Sequence, residues 1–130
     1  VMPCFRETSR VLEVLRRFDD TVSHILVVDD ACPDKTGQLV REQTSDPRIE
    51  VIIHESNQGV GGATLTGYRR ALALNADIIV FPELSTTGYP PQDHLMNNEF
   101  INENLGVLNK IAKKSTKPTL HTHVTIFKQN

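Results

Sequence analysis

The chain has 130 residues, enough for one compact α/β domain and too few for two ordinary ones. Charged residues make up 23% with a net charge of −2, and no basic stripe occurs, which excludes a general nucleic-acid binder. Hydrophobic residues reach 38% without any Trp, so Val, Ile and Leu must carry the packing.

Val1-Met2-Pro3 opens directly on a strand, from which we expect a fragment or an excised piece of a longer protein. Thr8 and Ser9 precede Val11, Leu12, Leu15 and Phe18, a 3.6-period stripe that predicts a helix over residues 9–18. Ile25-Leu26-Val27-Val28 is a continuous apolar run before Asp29, which suits a parallel strand covered on both faces. Asp34 can cap the next helix, which carries Leu39 and Val40 and ends near Ser45-Asp46-Pro47. Ile49 to Ile53 is a third strand. Asn57-Gln58-Gly59-Val60-Gly61-Gly62 reads as a flexible loop opening a helix through Ala63, Tyr68, Ala71 and Leu72.

Ile78 to Phe81 predicts a fourth buried strand, and 84–93 a loop with Gly88, Pro90 and Pro91. Ile101, Leu105, Leu108 and Ile111 mark a long amphipathic helix, and 119–127 a last strand. Strands alternating with helices predict a single α/β domain over 1–130, a three-layer, doubly wound, mostly parallel sheet of about five strands. Ligands in such sheets bind beyond the carboxyl ends of the strands. The segments to watch are therefore 3–7, 29–34, 55–62 and 82–85.

Asp29 and Asp30 are adjacent carboxylates at one such end. They need donors, either from a nucleotide base or ribose or from backbone amides of the turn 31–36. The Asn57–Gly62 segment lets a ligand approach backbone closely, and its helix N-terminus favours an anion. It fits neither G-x-G-x-x-G nor a P-loop, which needs a Lys. Cys4 and Cys32 lack metal-ligand or redox spacing, so a reducing, cytoplasmic setting is expected. No stretch approaches the ~18 apolar residues of a membrane span. His121 and His123 share a strand side and are read as a polar face or a metal pair.

Taken together, residues 1–80 resemble a family 2 glycosyltransferase of the dolichyl-phosphate-mannose-synthase-like branch. Val1-Met2-Pro3-Cys4-Phe5-Arg6-Glu7 is similar to that family's opening strand and Pro-x-Tyr-Asn-Glu turn. Val27 to Thr36 is similar to its Asp-Asp segment, and Asn57 to Tyr68 to its Asn-x-Gly loop and helix. The resemblance implies a GT-A, Rossmann-like half, a UDP- or GDP-linked sugar and a divalent cation, Mg or Mn. It implies nucleotide-binding roles for Pro3, Glu7, Asp29, Asp30, Asn57 and Gly59, with Pro3 and Glu7 flanking the base and Asp30 meeting base or ribose. Arg6 stands where the family has Asn.

The family's metal-holding Asp-x-Asp falls on Glu83-Leu84-Ser85, so Glu83 is the expected metal ligand, while the acceptor half and its catalytic Asp are missing. Residues 77–118 resemble the carbon–nitrogen hydrolase (nitrilase) superfamily, nearest the glutaminase part of NAD synthetase. There Glu83 would be the catalytic general base, although the family's Lys and Cys lie beyond Asn130. Glu83 is otherwise a strand-end carboxylate without a partner. The combined expectation is a nucleotide-sugar-binding part over 1–80 joined to a nitrilase-like part over 81–130. That chain is expected to be truncated or chimeric and weakly active or inactive, with a hydrolase fragment and a non-catalytic recombined or designed scaffold as alternatives.

Overall fold

The computed structural model describes residues 1–82, 87, 92–114 and 120–121. Its elements run β1 (Met2–Cys4), α1 (Val11–Leu15), β2 (Ile25–Asp29), α2 (Thr36–Gln43), β3 (Ile49–Ile53), α3 (Gly59–Ala73), β4 (Ile79–Val80), α4 (Asn98–Lys114) and β5 (Leu120–His121). A 3-10 turn over Gln92–Met96 precedes α4. β1, β2 and β3 form a parallel sheet with β2 in the middle, Val27 lying opposite Met2 on one side and Val51 on the other.

Every residue of β2 is buried, as its unbroken apolar run requires. The alternation of side chains divides that run between two layers. Ile25 and Val27 pack with Cys4, Val11, Leu15 and Val40, so α1 and α2 cover one face. Leu26 packs with Ala71 and Ile79, so α3 covers the other. Tyr68 and Phe81 close that second cluster, their ring centroids 6.3 Å apart. The α/β class and the three-layer, parallel arrangement are as the sequence predicts.

β4 and β5 make a second parallel pair, Ile79 opposite Leu120. The Val1 nitrogen donates to the Val80 carbonyl at 2.8 Å, which brings β4 alongside β1. Of the fourth strand, Ile79 is buried, but Ile78 is 56% and Val80 61% exposed, so the expected two-sided burial of 78–81 is corrected to burial on one side. The predicted last strand is present at Leu120–His121, and 122–127 lie outside the described residues, His123 among them.

Four helix ends also differ from expectation. α1 stops at Leu15 rather than residue 18, and Phe18 reaches the core from a turn whose amide bonds Leu15 O. The N-cap position is Arg10, without a side-chain cap, so Thr8 and Ser9 do not cap it. Instead the Glu7 carbonyl accepts from the Arg10 and Val11 amides. α2 ends at Gln43, two residues before Ser45. Gly59 to Gly62 form the first turn of α3 rather than a flexible loop, leaving Asn57 and Gln58 outside the helix.

Candidate functional site

The carboxyl ends of β1, β2 and β3 converge on Asp29 and Asp30. The Asp30 amide donates to Cys4 O at 3.1 Å, and the His54 amide donates to Asp29 O at 2.9 Å. These bonds extend the sheet ladder by one residue on each side. The two carboxylates then separate in role.

Asp29 is 1% exposed and faces inward. Its Oδ1 accepts from the Cys32 amide at 2.7 Å and its Oδ2 from the Gly37 amide at 2.5 Å. Gly37 is the second residue of α2, so Asp29 satisfies a helix N-terminal donor that has no partner within the helix. The expected cap from Asp34 is thereby corrected: Lys35 occupies the N-cap position with no side-chain cap bond, and the cap comes from β2. Of the two readings for this carboxylate, satisfaction of backbone amides is the one the geometry displays.

Asp30, 4% exposed, is held differently. Its Oδ1 accepts from the Gln58 amide at 2.8 Å and meets His54 Nδ1 at 2.7 Å. The Asp30 carbonyl accepts from Asn57 Nδ2 at 3.2 Å, and Asn57 Oδ1 accepts from the Gly59 amide at 3.1 Å. Asp30, Asn57 and Gly59 therefore belong to one hydrogen-bonded group at the start of α3. Asn57 and Gly59 are exposed, and a Cβ on Gly59 or Gly61 would meet nothing within 4 Å. Gly59 has φ of +76°, a conformation glycine adopts without steric cost.

Pro3 pairs with Val28 beside this group. Glu7 is exposed on the loop that follows, and its described bonds are those of its carbonyl at the α1 end. That loop is tied to the turn after β2 by the Arg6 amide, which donates to Cys32 Sγ at 3.1 Å. Phe5 is 43% exposed, with the Arg6 guanidinium 5.6 Å from its ring centroid. Glu83 lies outside the described residues. Among the described residues, no group of three His, Cys, Asp or Glu side chains assembles that could hold a metal ion.

Three residues without a glycine's freedom adopt left-handed backbone in these two loops: Arg6 (φ 60°), Ala31 (φ 52°) and Lys35 (φ 55°). Each costs about 1 kcal/mol, and such residues cluster where surrounding bonds over-determine the backbone. Lys35→Gly is expected to raise stability by about 0.5–1 kcal/mol, less the entropy glycine adds to the unfolded chain. Urea denaturation of the two proteins checks the sign.

The two thiols sit in opposite environments. Burial, and then the charge of Asp29, pushes Cys4 up to about 12. Burial opposes ionisation of Cys32 as well, but bonds from the Thr36 hydroxyl and amide and from the Arg6 and Asp34 amides outweigh it and lower its pKa. For Cys4 the folded value is the raised one. Its contribution is complete below the ordinary value of 9.0 and is lost as pH rises through about 12, because the unfolded chain releases the proton first. Stability is expected to fall across that window more steeply in the natural protein than in Cys4→Ala, as read from urea midpoints at each pH.

Sequence reasoning missed His54, Gln58, Thr66 and Phe5. Gln58 lies inside the quoted Asn57–Gly62 segment, and Phe5 inside 3–7. His54 falls one residue before the segment 55–62, and its partnership with Asp30 spans 24 positions. No spacing rule signals it.

Comparison with known proteins bears on the family of the chain. Residues 1–83 match the family described as "Glycosyl transferase family 2". The undecaprenyl-phosphate mannosyltransferase of Micrococcus luteus is 33% identical over 95 residues, covering 71% of this chain and 39% of that protein. The UDP-N-acetylglucosamine–dolichyl-phosphate N-acetylglucosaminyltransferase of Methanococcus voltae is 30% identical over 94 residues, covering 62% of this chain and 38% of that protein. The dolichol-phosphate mannosyltransferase of Pyrococcus furiosus is 27% identical over 93 residues, covering 65% and 26%. The chain thus spans under two-fifths of the length of each of these relatives. No solved structure matches it. Nothing in the comparisons supports the hydrolase-like reading of 77–118. With more than half of its length matched to one family, the chain belongs to glycosyl transferase family 2.

Proposed function

We propose that residues 1–80 bind the nucleotide of a UDP- or GDP-linked sugar, as the donor-binding part of a transferase. The observation that carries this is the Asp30 group. A carboxylate anchored at a strand end stands next to the exposed N-terminus of α3, so a base donor and a diphosphate can be met together. Phe5 offers an exposed aromatic face at the same edge for a planar base. Pro3, Glu7, Asn57 and Gly59 complete the nucleotide contacts in this reading, and Asp29 supports them by holding the turn.

The relatives' names include undecaprenyl-phosphate, dolichyl-phosphate and dolichol-phosphate, and we take a polyprenol-type phosphate as the acceptor class here. A divalent cation, Mg or Mn, would supply charge neutralisation on the diphosphate, with Glu83 as its ligand. The described residues alone do not make a site for it. Among the described residues no helix is long and apolar enough to cross a membrane. Both cysteines are free thiols, which fits a reducing, cytoplasmic setting.

Calorimetric titration with UDP and GDP, with and without Mn²⁺, tests this reading. Saturable binding is expected, and Asp30→Asn is expected to remove it. The amide oxygen of that variant can still serve His54 and Gln58, while its NH2 turns a donor toward the base. No heat with either nucleotide would contradict the reading. The hydrolase alternative for 81–130 rests on sequence likeness alone; glutamine hydrolysis abolished by Glu83→Gln would support it.

A further inference from the structure

His54 sits between two elements, and its ring is almost wholly enclosed, with 6% of the side chain exposed. Nδ1 is 2.7 Å from Asp30 Oδ1 and Nε2 is 2.9 Å from the Thr66 hydroxyl on α3. A carboxylate can only accept, so Nδ1 carries the proton and donates to Asp30. In the neutral ring Nε2 then accepts from the Thr66 hydroxyl, and α3 holds the imidazole in place.

With the Gln58 amide also donating to it, Asp30 Oδ1 has two donors for its two lone pairs. Oδ2 takes part in neither bond and receives none from a described residue. The carboxylate therefore offers one oxygen to a ligand, not two. Uracil presents a single imide N–H between two carbonyls and needs one acceptor. Guanine presents N1–H and N2–H side by side and is held best by a carboxylate with both oxygens available, one for each donor.

We infer that His54 is a specificity-determining, positioning residue that commits Asp30 Oδ1 and makes this site select uridine over guanosine nucleotides. The inference rests on the nucleotide-binding reading above and narrows it to one base. His54 itself touches no ligand; it acts through Asp30.

Competition titration of UDP against GDP on the natural chain is the first measurement, with UDP expected tighter by ~10-fold or more, the scale of one good base contact. Two variants then isolate the imidazole. The amide of His54→Asn reaches the place of Nδ1 and keeps the donor to Oδ1, so the preference is expected to persist. The amide of His54→Gln reaches the place of Nε2, keeps Thr66 and releases Oδ1, so the preference is expected to narrow to about threefold or less. A purely structural histidine would move neither ratio, whatever it did to the melting temperature. GDP binding as tightly as UDP to the natural chain overturns the inference, and so does an equal ratio in both variants. Absence of binding by both nucleotides overturns the underlying reading instead, so the two failures are distinguishable. Should a variant fail to fold, the ratio on the natural chain still decides.

Discussion

Asp29→Ala is expected to cost about 3–5 kcal/mol, a large share of the roughly 5–15 kcal/mol that keeps an ordinary domain folded. The carboxylate is buried and accepts two backbone amides, from Cys32 and Gly37, that have no water to turn to. Each bond to a charged acceptor contributes about 1.5–3 kcal/mol, and truncation leaves both donors unpaired. The turn after β2 and the first turn of α2 depend on the same two bonds, so the loss is not local. Urea denaturation followed by circular dichroism measures it. Asp29→Asn, which keeps the shape and one acceptor oxygen, is expected to fall between. A loss under about 1 kcal/mol in the alanine variant would show that α2 is held by other means.

Gly37→Ala is expected to cost about 2–3 kcal/mol through the same contact from its other side. A Cβ there would stand 2.8 Å from Asp29 Cβ, 3.0 Å from Asp29 Oδ2 and 3.1 Å from Ile53 Cγ1. Alanine is otherwise the best helix former, so propensity alone would make this change stabilising by about 1 kcal/mol. The steric term decides, because the neighbour that must yield is a buried cap rather than the tip of a flexible chain. The two substitutions act on one interaction, so the double variant is expected to lose less than the sum of the singles. Additive losses would place the two effects in separate structures.

The contrast between Asp29 and Asp30 explains how far the sequence could be read. β3 matches its expected limits, and β2 matches to the residue at its apolar core, because a run such as Ile25–Val28 can be satisfied only by burial on both faces. The cap of α2 was not legible. Capping rules look at neighbours in the chain, and Asp34 met them, whereas the bond to the Gly37 amide comes from eight residues upstream. The stop of α1 was hidden for a related reason. Phe18 keeps the helical period but reaches the core from a turn, so its apolar character persists after the helix has ended. β4 read as a buried run, yet Ile78 and Val80 face outward among the described residues, because in this strand one side is covered and the other is not.

The sequence singles out Asp30, Asn57 and Gly59 because the segments that carry them have a recognisable order and spacing, and the structure joins them in one hydrogen-bonded group. Which of the paired aspartates serves the fold was not. Chemistry alone treats both as carboxylates in need of donors, and only the structure shows the backbone meeting Asp29 on both oxygens and Asp30 on one. The left-handed residues Ala31 and Lys35 gave no signal either, since neither is a glycine.

The most direct test of the central claim is amide chemical-shift mapping during titration with UDP. Shifts are expected to concentrate on Asp30, Ala31, Gln58, Gly59 and the neighbouring 3–7 loop, saturating together with one dissociation constant. Shifts confined to α1 or α4, or none at any concentration, would contradict the account.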